Sequence, residues 1–255
     1  MFTMREYAMP ETLDEAYTIL KSRKGNQILG GCAWLRLGKK RINIAVDLTK
    51  CGLDYIREDD EQIEIGAMTS YRSVETSDIL KKYFNGVIAD SVSSIIGTQF
   101  RNTVTVGGSV YGRFGFSDFL TPLLTLDTSV VLYKRGSIPL ETFMTMPYEK
   151  EIIEKIVIKK DGRQSSYQMF RNSRGDFPIL NLAASRTEAG QWIVTVGARG
   201  PKAIRAEKTA AFLSEKLSQN ALKAEDAEAV IQEAGEILVS EVTFTSNMRA
   251  SAEYR

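Results

Sequence analysis

Residues 101–120 read "RNTVTVGGSVYGRFGFSDFL". The pair Gly107–Gly108 sits among the hydroxyl residues Thr103, Thr105 and Ser109, and Asp118 follows ten residues after Gly108, ahead of an apolar run. Glycine leaves the backbone unshielded, so an anion can approach it closely. Amides at the start of a helix point outward without intrahelical partners, and the helix dipole favours negative charge there. A carboxylate shortly downstream suits ribose hydroxyls. A second glycine turn lies upstream in "ILGGCAWL", residues 28–35, where an apolar strand runs into Gly30 and Gly31 and a helix is expected from Trp34. Taken singly, each turn reads as an ordinary connection and Asp118 as an acidic helix start. Taken together, two turns suit a pyrophosphate, whose two phosphates need amides from two sides. Neither G-x-G-x-x-G nor G-x-x-x-x-G-K-[ST] occurs in the chain, so a nucleotide site here must be of another type.

The rest of the composition narrows the chemistry. At 255 residues the chain can bury a sizeable core as one large or two ordinary domains. A formal net charge of +1 without blocks of one sign argues against nucleic acid as the main partner. No apolar run is long enough to span a bilayer. The opening "MFTMREYAMPETLDEAY" lacks the apolar core of a secretion signal, so a cytoplasmic location is expected. There is no histidine, which excludes a Ser-His-Asp hydrolase, a histidine-ligated zinc and a histidine-ligated haem. The two cysteines, Cys32 and Cys51, are too few for an iron–sulfur cluster, and a disulfide between them does not suit a reducing cytoplasm. No catalytic residue and no metal ligand set is assigned. Any difficult chemistry is expected to belong to a bound organic cofactor.

Periodicity gives mixed elements without strict alternation, so α+β is the expected class. "PETLDEAYTILKS" (10–22) predicts a helix with Thr12 and Glu15 as a capping box. "INIAVDLT" (42–49), "EQIEIGAMTS" (61–70), "SVVLYK" (129–134), "EIIEKIVIKK" (151–160) and "SSYQMFR" (165–171) predict strands. A long helix is expected over Ile79–Ile96, and another opening at Ser117 or Asp118. "PILNLAAS" (178–185) and "QWIVTVGARG" (191–200) predict a hairpin. "EKTAAFLSEKL" (207–217) and "EDAEAVIQEAGEIL" (225–238) predict helices, and the tail "SAEYR" a fragment of one more. The softest boundary is "KKDGRQ", residues 159–164.

Six segments occur in one order: "ILGGCAWLRL", "DLTK", "IEIGAMTS", "QFRNTVTVGGSV", the Ser117–Asp118 pair before "FLTPLLTLD", and "FRNSRGDF". That order resembles the FAD-binding medium subunit of the molybdenum hydroxylases, the family of xanthine dehydrogenase and carbon monoxide dehydrogenase flavoprotein subunits. The resemblance runs from about Ala16 to the end of the chain. It implies a two-part FAD-binding domain similar to that of vanillyl-alcohol oxidase-type flavoproteins over residues 1–160, with parts at about 1–56 and 57–160. A smaller C-terminal α+β domain over 161–255 is implied to follow. It implies FAD as cofactor, an iron–sulfur small subunit and a molybdopterin large subunit as partners, and electron transfer from the iron–sulfur centres to NAD+ or another acceptor. It places the pyrophosphate between Leu29, Gly30, Gly31, Cys32 and Ala33, with Ile28 before them, and Thr105, Gly107, Gly108 and Ser109. It places Gly112, Ser117 and Asp118 on the same nucleotide loop. Ile95, Ile96 and Ile153 fall on apolar positions against the cofactor, and Arg171 where many members carry a lysine near the flavin.

The chain departs from the family pattern at several points. Gly31-Cys32-Ala33 replaces the usual G-G-T-D or G-G-H-S, Ser109 replaces a common asparagine, and "YGRFGFS" (111–117) is bulkier than an alanine-rich loop. These changes motivate an alternative, a scaffold subunit of the same complex without tight FAD. A stand-alone flavoenzyme is a third reading, opposed by the lack of an obvious substrate-binding domain.

Overall fold

The structure is a computed structural model, and it describes residues 1–217 and 224–255. The elements run β1 (Thr3–Ala8), α1 (Leu13–Ser22), β2 (Gln27–Leu29), β3 (Arg41–Asp47), β4 (Ile56–Glu58), β5 (Gln62–Gly66), α2 (Tyr71–Thr76) and α3 (Asp78–Lys82). There follow α4 (Val87–Ser93), α5 (Thr98–Arg101), α6 (Val106–Gly112), α7 (Leu120–Leu123), β6 (Thr128–Leu132), β7 (Gly136–Pro139), α8 (Leu140–Thr145) and β8 (Ile153–Lys159). The last stretch holds β9 (Gln164–Phe170), β10 (Leu180–Arg186), β11 (Trp192–Gly197), β12 (Ile204–Arg205), α9 (Glu207–Lys216) and α10 (Ala224–Glu241). Among the described residues, no helix is long and apolar enough to cross a membrane.

These elements form two compact units that interleave along the chain. The first comprises Met1–Ile79, Ile96–Gly112 and Thr128–Lys159; the second comprises Leu80–Ile95, Arg113–Asp127 and Lys160–Arg255.

The first unit holds two sheets. One is parallel, in the order β1-β3-β2, and α1 provides the crossover between its outer strands. Thr12 Oγ1 caps α1 by accepting from the Glu15 amide at 3.2 Å, and Glu15 Oε2 accepts from the Glu11 amide. At the other end of α1, Asn26 Nδ2 donates to the Ile19 carbonyl while its Oδ1 accepts from the Ile44 amide, fixing the helix exit to β3. The second sheet is antiparallel, in the order β4-β5-β8-β6-β7. Ile63 pairs with Ile158 and Ile65 with Ile156, and all four are fully buried, as the period-2 pattern requires. Glu64 points to the opposite face and accepts from Lys155 Nζ and Arg57 Nη2, each at 2.6 Å. Burial raises the Glu64 carboxyl pKa, but these two cations outweigh it and hold the group below its ordinary value. The stability it contributes is therefore in place above the ordinary glutamate range and is lost as pH falls through the depressed folded value. In melting curves taken from pH 7 down to 3, Glu64→Gln is expected to flatten the acid limb; a limb as steep as the parent's would reject this.

The second unit is built on the antiparallel sheet β12-β11-β10-β9. Val194 and Val196 of β11 pack with Leu213 of α9 and Ala234 and Val242 from and beyond α10 to form its core. Glu241, at the end of α10, caps α9 by accepting from the Lys208 and Thr209 amides and the Thr209 hydroxyl.

Three expected elements differ. The helix expected over Ile79–Ile96 is broken, because Phe84, Asn85 and Gly86 have φ of 55°, 58° and 73° and turn the chain between α3 and α4. Asparagine and glycine tolerate this left-handed region, and their adjacency is the local cause. After Trp34 only a three-residue 3-10 turn forms, Leu35–Leu37. The tail 251–255 is a turn, not a helix; Arg255 donates to the carbonyls of Ile179, Thr245 and Ala250.

Candidate functional site

In the first unit, the parallel strand β2 ends at Leu29 and delivers Gly30 and Gly31 directly against the start of α6. The Gly31 amide donates to Thr105 Oγ1 at 3.3 Å, and the Gly108 amide donates to the same oxygen at 3.3 Å. One hydroxyl thus ties the two glycine turns together. The approach is closest at Gly31, where a Cβ would stand 1.6 Å from the Thr103 carbonyl oxygen. Side-chain-free residues are required there by space alone.

The two turns offer different amides. Cys32 has φ 55°, a left-handed conformation that turns successive N–H groups to the same side. The Cys32 and Ala33 amides make no backbone hydrogen bond within the described structure. At the second turn the amides are already engaged: Val106 donates to the Thr69 carbonyl, Gly107 to Ala67 at 2.7 Å and Ser109 to Thr105. The expectation of bare amides on both sides therefore changes. The glycine pair lies in the first turn of α6; the chain after β5 covers the Val106 and Gly107 N–H groups, and Thr105 Oγ1 takes that of Gly108. The Ser109 hydroxyl also turns back, donating to the Thr105 carbonyl. Cys32 Sγ donates to the Gly30 carbonyl at 3.2 Å, and burial, with Asp47 nearby, pushes its thiol pKa up. It is a turn filler, not an activated nucleophile.

Beside the joined turns lies a cavity of about 220 Å³. Its walls include Ile28, Gly30, Thr105, Gly107, Gly108 and Ile153 from the sequence reading. Leu29, Gly31, Cys32, Ala33, Ser109 and Gly112 are chain neighbours of its lining residues without lining it themselves, and Ile96, 45% exposed with φ 49°, does not line it either. Gln27, Lys24, Met68, Tyr111 and Lys150 line it as well, and no motif in the sequence marks them. Lys150 Nζ donates to the Arg23 carbonyl at 2.6 Å and to Leu20, closing the end of α1 over the cavity rim. No local motif announces it, since its partners lie some 130 residues away in sequence.

Ser117, Asp118 and Arg171 belong to the second unit. Ser117 Oγ accepts from the Leu120 amide at 3.1 Å and so caps α7. Asp118 is 7% exposed, and its Oδ1 accepts from Arg171 Nη2 at 2.8 Å and from the Tyr167 hydroxyl. Burial pushes the Asp118 carboxyl up, more than Tyr167 and Arg171 pull it down. Burial and the neighbouring carboxylate push the Tyr167 hydroxyl up as well. Asn181 Nδ2 donates to the Tyr167 oxygen at 3.2 Å and extends the network. The acid expected to face ribose hydroxyls is, in this unit, the acceptor at the centre of a buried polar network. Tyr167 carries no sequence signal beyond its place on a strand.

Residues 2–160 match the family described as the FAD binding domain in molybdopterin dehydrogenase, and residues 165–255 match the CO dehydrogenase flavoprotein C-terminal domain. The first match alone covers more than half of the chain. The chain belongs to the molybdopterin dehydrogenase FAD-binding family. FAD is the cofactor of this family, and the residues present fit it: unengaged amides at Cys32 and Ala33, and a cavity lined by Gly30, Thr105, Gly107 and Gly108 of the joined turns. The chain is 24% identical to the xanthine dehydrogenase FAD-binding subunit of Escherichia coli O157:H7, over all of this chain and 92% of that one. It is 25% identical to the 6-hydroxypseudooxynicotine dehydrogenase complex subunit alpha of Paenarthrobacter nicotinovorans, over 80% of this chain and 75% of the relative. Its fold matches a chain of carbon monoxide dehydrogenase from Hydrogenophaga pseudoflava with a TM-score of 0.83 at 23% identity, over 99% of this chain and 92% of that one. The α+β class and the order of an FAD-binding domain followed by a smaller C-terminal domain agree with this family.

Proposed function

We propose that this chain is the FAD-carrying oxidoreductase subunit of a molybdenum hydroxylase-type dehydrogenase complex. It takes electrons from iron–sulfur centres of a small subunit, ultimately supplied by a molybdopterin subunit, and passes them to NAD+ or another acceptor in the cytoplasm. The observation that carries the reading is the junction of the two glycine turns through Thr105 Oγ1, with unengaged amides on one side and a cavity on the other.

The division of labour follows from the residues. The Cys32 and Ala33 amides hold the diphosphate, and Gly30, Gly31, Gly107 and Gly108 admit it by carrying no side chains. Thr105 keeps the two turns at a fixed spacing, while Ile28 and Ile153 give the cavity apolar walls that exclude water. On the resemblance alone, Leu29, Ser109, Gly112, Ile96, Ser117, Asp118 and Arg171 complete the cofactor contacts, and residues 1–160 and 161–255 act as the cofactor domain and its C-terminal companion. A cation such as Arg171 near a flavin favours its reduced, anionic form. Bound FAD supplies the redox chemistry itself, and no protein acid or base is required for it.

The test is reconstitution. The purified chain incubated with FAD is expected to retain it near one per chain by flavin absorbance after desalting. A chain that retains no FAD under any condition rejects the reading. If such a colourless chain still captured the iron–sulfur and molybdopterin subunits, the scaffold reading would replace it; the engaged amides of residues 106–109 are the feature that favours that second reading.

A further inference from the structure

From Ala16 to Val46 the chain carries no acid, although the whole protein is nearly balanced at 33 cations to 32 acids. The same stretch holds Lys21, Arg23 and Lys24 at the end of α1, and Arg36, Lys39, Lys40 and Arg41 leading into β3. Among the described residues none of these cations enters an ion pair, whereas other exposed cations of the first unit do: Lys50 with Glu11, Lys134 with Asp14 and Arg135 with Glu149. The fold gathers the two groups. The Asn43 amide donates to the Gly25 carbonyl at 3.0 Å, which sets the turn after α1 against the start of β3. Lys24 and Lys40, both exposed, line the cavity beside the glycine turns and so stand at its rim. Lys150 joins them there, against one carboxylate in the wall, Glu151. Burial, and then the charges of Lys21 and Lys40, push the Lys150 ammonium pKa down, so these cations act on one another in space.

Unpaired charges of one sign repel one another, and scattered over a surface they would be an ordinary solvated face. Here they surround one opening. A cleft rimmed by one sign of charge focuses the field and raises the local concentration of an oppositely charged ligand. Free FAD carries its negative charge on the diphosphate. We propose that the cations of residues 21–41 form an electrostatic loading surface, which draws the diphosphate of free FAD to the cavity rim and speeds its capture. The proposal rests on the FAD reading and adds to it how the site is filled. It assigns a kinetic role to side chains that do not line the cavity: Arg23, Lys39 and Arg41 act on the approaching cofactor and not on the bound one.

The test is the rate of FAD uptake by the full chain freed of flavin, followed in a stopped-flow instrument by the change in flavin fluorescence. Between about 0.01 M and 1 M salt the reach of an exposed charge shrinks from roughly 30 Å to 3 Å. The association rate of the unaltered chain is expected to fall about tenfold over that range. The triple variant Arg23→Gln, Lys39→Gln, Arg41→Gln is expected to associate about fivefold more slowly at low salt, to match the parent at high salt, and to release FAD at the parental rate. A control removes three exposed cations of the second unit, Lys81→Gln, Lys208→Gln and Lys216→Gln, and is expected to load like the parent. An association rate of the unaltered chain that ignores salt overturns the proposal while leaving FAD binding intact, and this arm needs no variant. A triple variant that loads at the parental rate, or that changes only the release rate, overturns it too. So does a control that slows as much, since net charge and not this stretch would then set the rate. Failure of the unaltered chain to take up FAD at any salt strikes down the FAD reading and this proposal with it.

Discussion

Gly31→Ala is expected to abolish FAD retention and to lower the melting temperature by several degrees. The added Cβ would stand 1.6 Å from the Thr103 carbonyl oxygen, 2.5 Å from its carbon and 2.9 Å from the Val104 Cα. All three are backbone atoms, so no rotamer change relieves the clash. The turn has to move away from the segment before α6, breaking the Gly31–Thr105 hydrogen bond and carrying Cys32 and Ala33 with it. Overpacking of this kind costs about 1–3 kcal/mol. In a chain of this size each kcal/mol is worth roughly 2–4 °C. Gly30→Ala should be milder, because its closest obstacle, at 2.8 Å, is the Thr105 hydroxyl, followed by the Gly108 Cα at 3.3 Å. Gly175→Ala is the control, since nothing stands within 4 Å of its added Cβ. Thermal melts and flavin absorbance after desalting check all three. Parental melting and FAD loading in Gly31→Ala would show that the two turns need not touch.

The second large effect is at Asp118. Removing one partner of a buried ion pair leaves the other charge uncompensated and typically costs about 3–5 kcal/mol. Here the abandoned groups are the Arg171 guanidinium, whose side chain is 7% exposed and whose Nε already lacks a partner, and the Tyr167 hydroxyl. Asp118→Ala is therefore expected to lose stability in that range in urea unfolding. Asp118→Asn keeps an acceptor for Tyr167 and loses less. A double-mutant cycle with Arg171→Met should return a coupling of about 0.5–3 kcal/mol, as for residues in direct contact. A loss under about 1 kcal/mol for Asp118→Ala would mean that the network is not what holds this region together. Flavin retention in the same variants reports separately on any cofactor role. A variant as stable as the parent but unable to keep FAD would point to the ribose, whereas a destabilised variant that keeps FAD would confine Asp118 to the network.

Much of this was legible before any coordinates. The capping box at Thr12 and Glu15, the alternation of Ile63 and Ile65, and the hairpin of β10 and β11 depend on neighbours within a few residues, and such patterns survive in a linear reading. The long helix over Ile79–Ile96 failed because periodicity ignores dihedral angles, and Asn85–Gly86 supply a left-handed break that apolar spacing does not show.

The site divides the same way. By itself the sequence determined that two glycine turns exist, that the chain has no histidine, and that the order of motifs is that of an FAD-binding family. Only the tertiary structure decided which amides are open, because the Ala67 and Thr69 carbonyls that engage Gly107 and Val106 come from a segment almost forty residues earlier. It alone decided that Asp118 sits in a pair with Arg171, 53 residues away, and that Gln27 Oε1 is sealed without a donor. The reason is physical: a hydrogen bond is satisfied or left open by whatever packs beside it in space, and that neighbour is set by the closing of the whole chain, not by the residues that flank it.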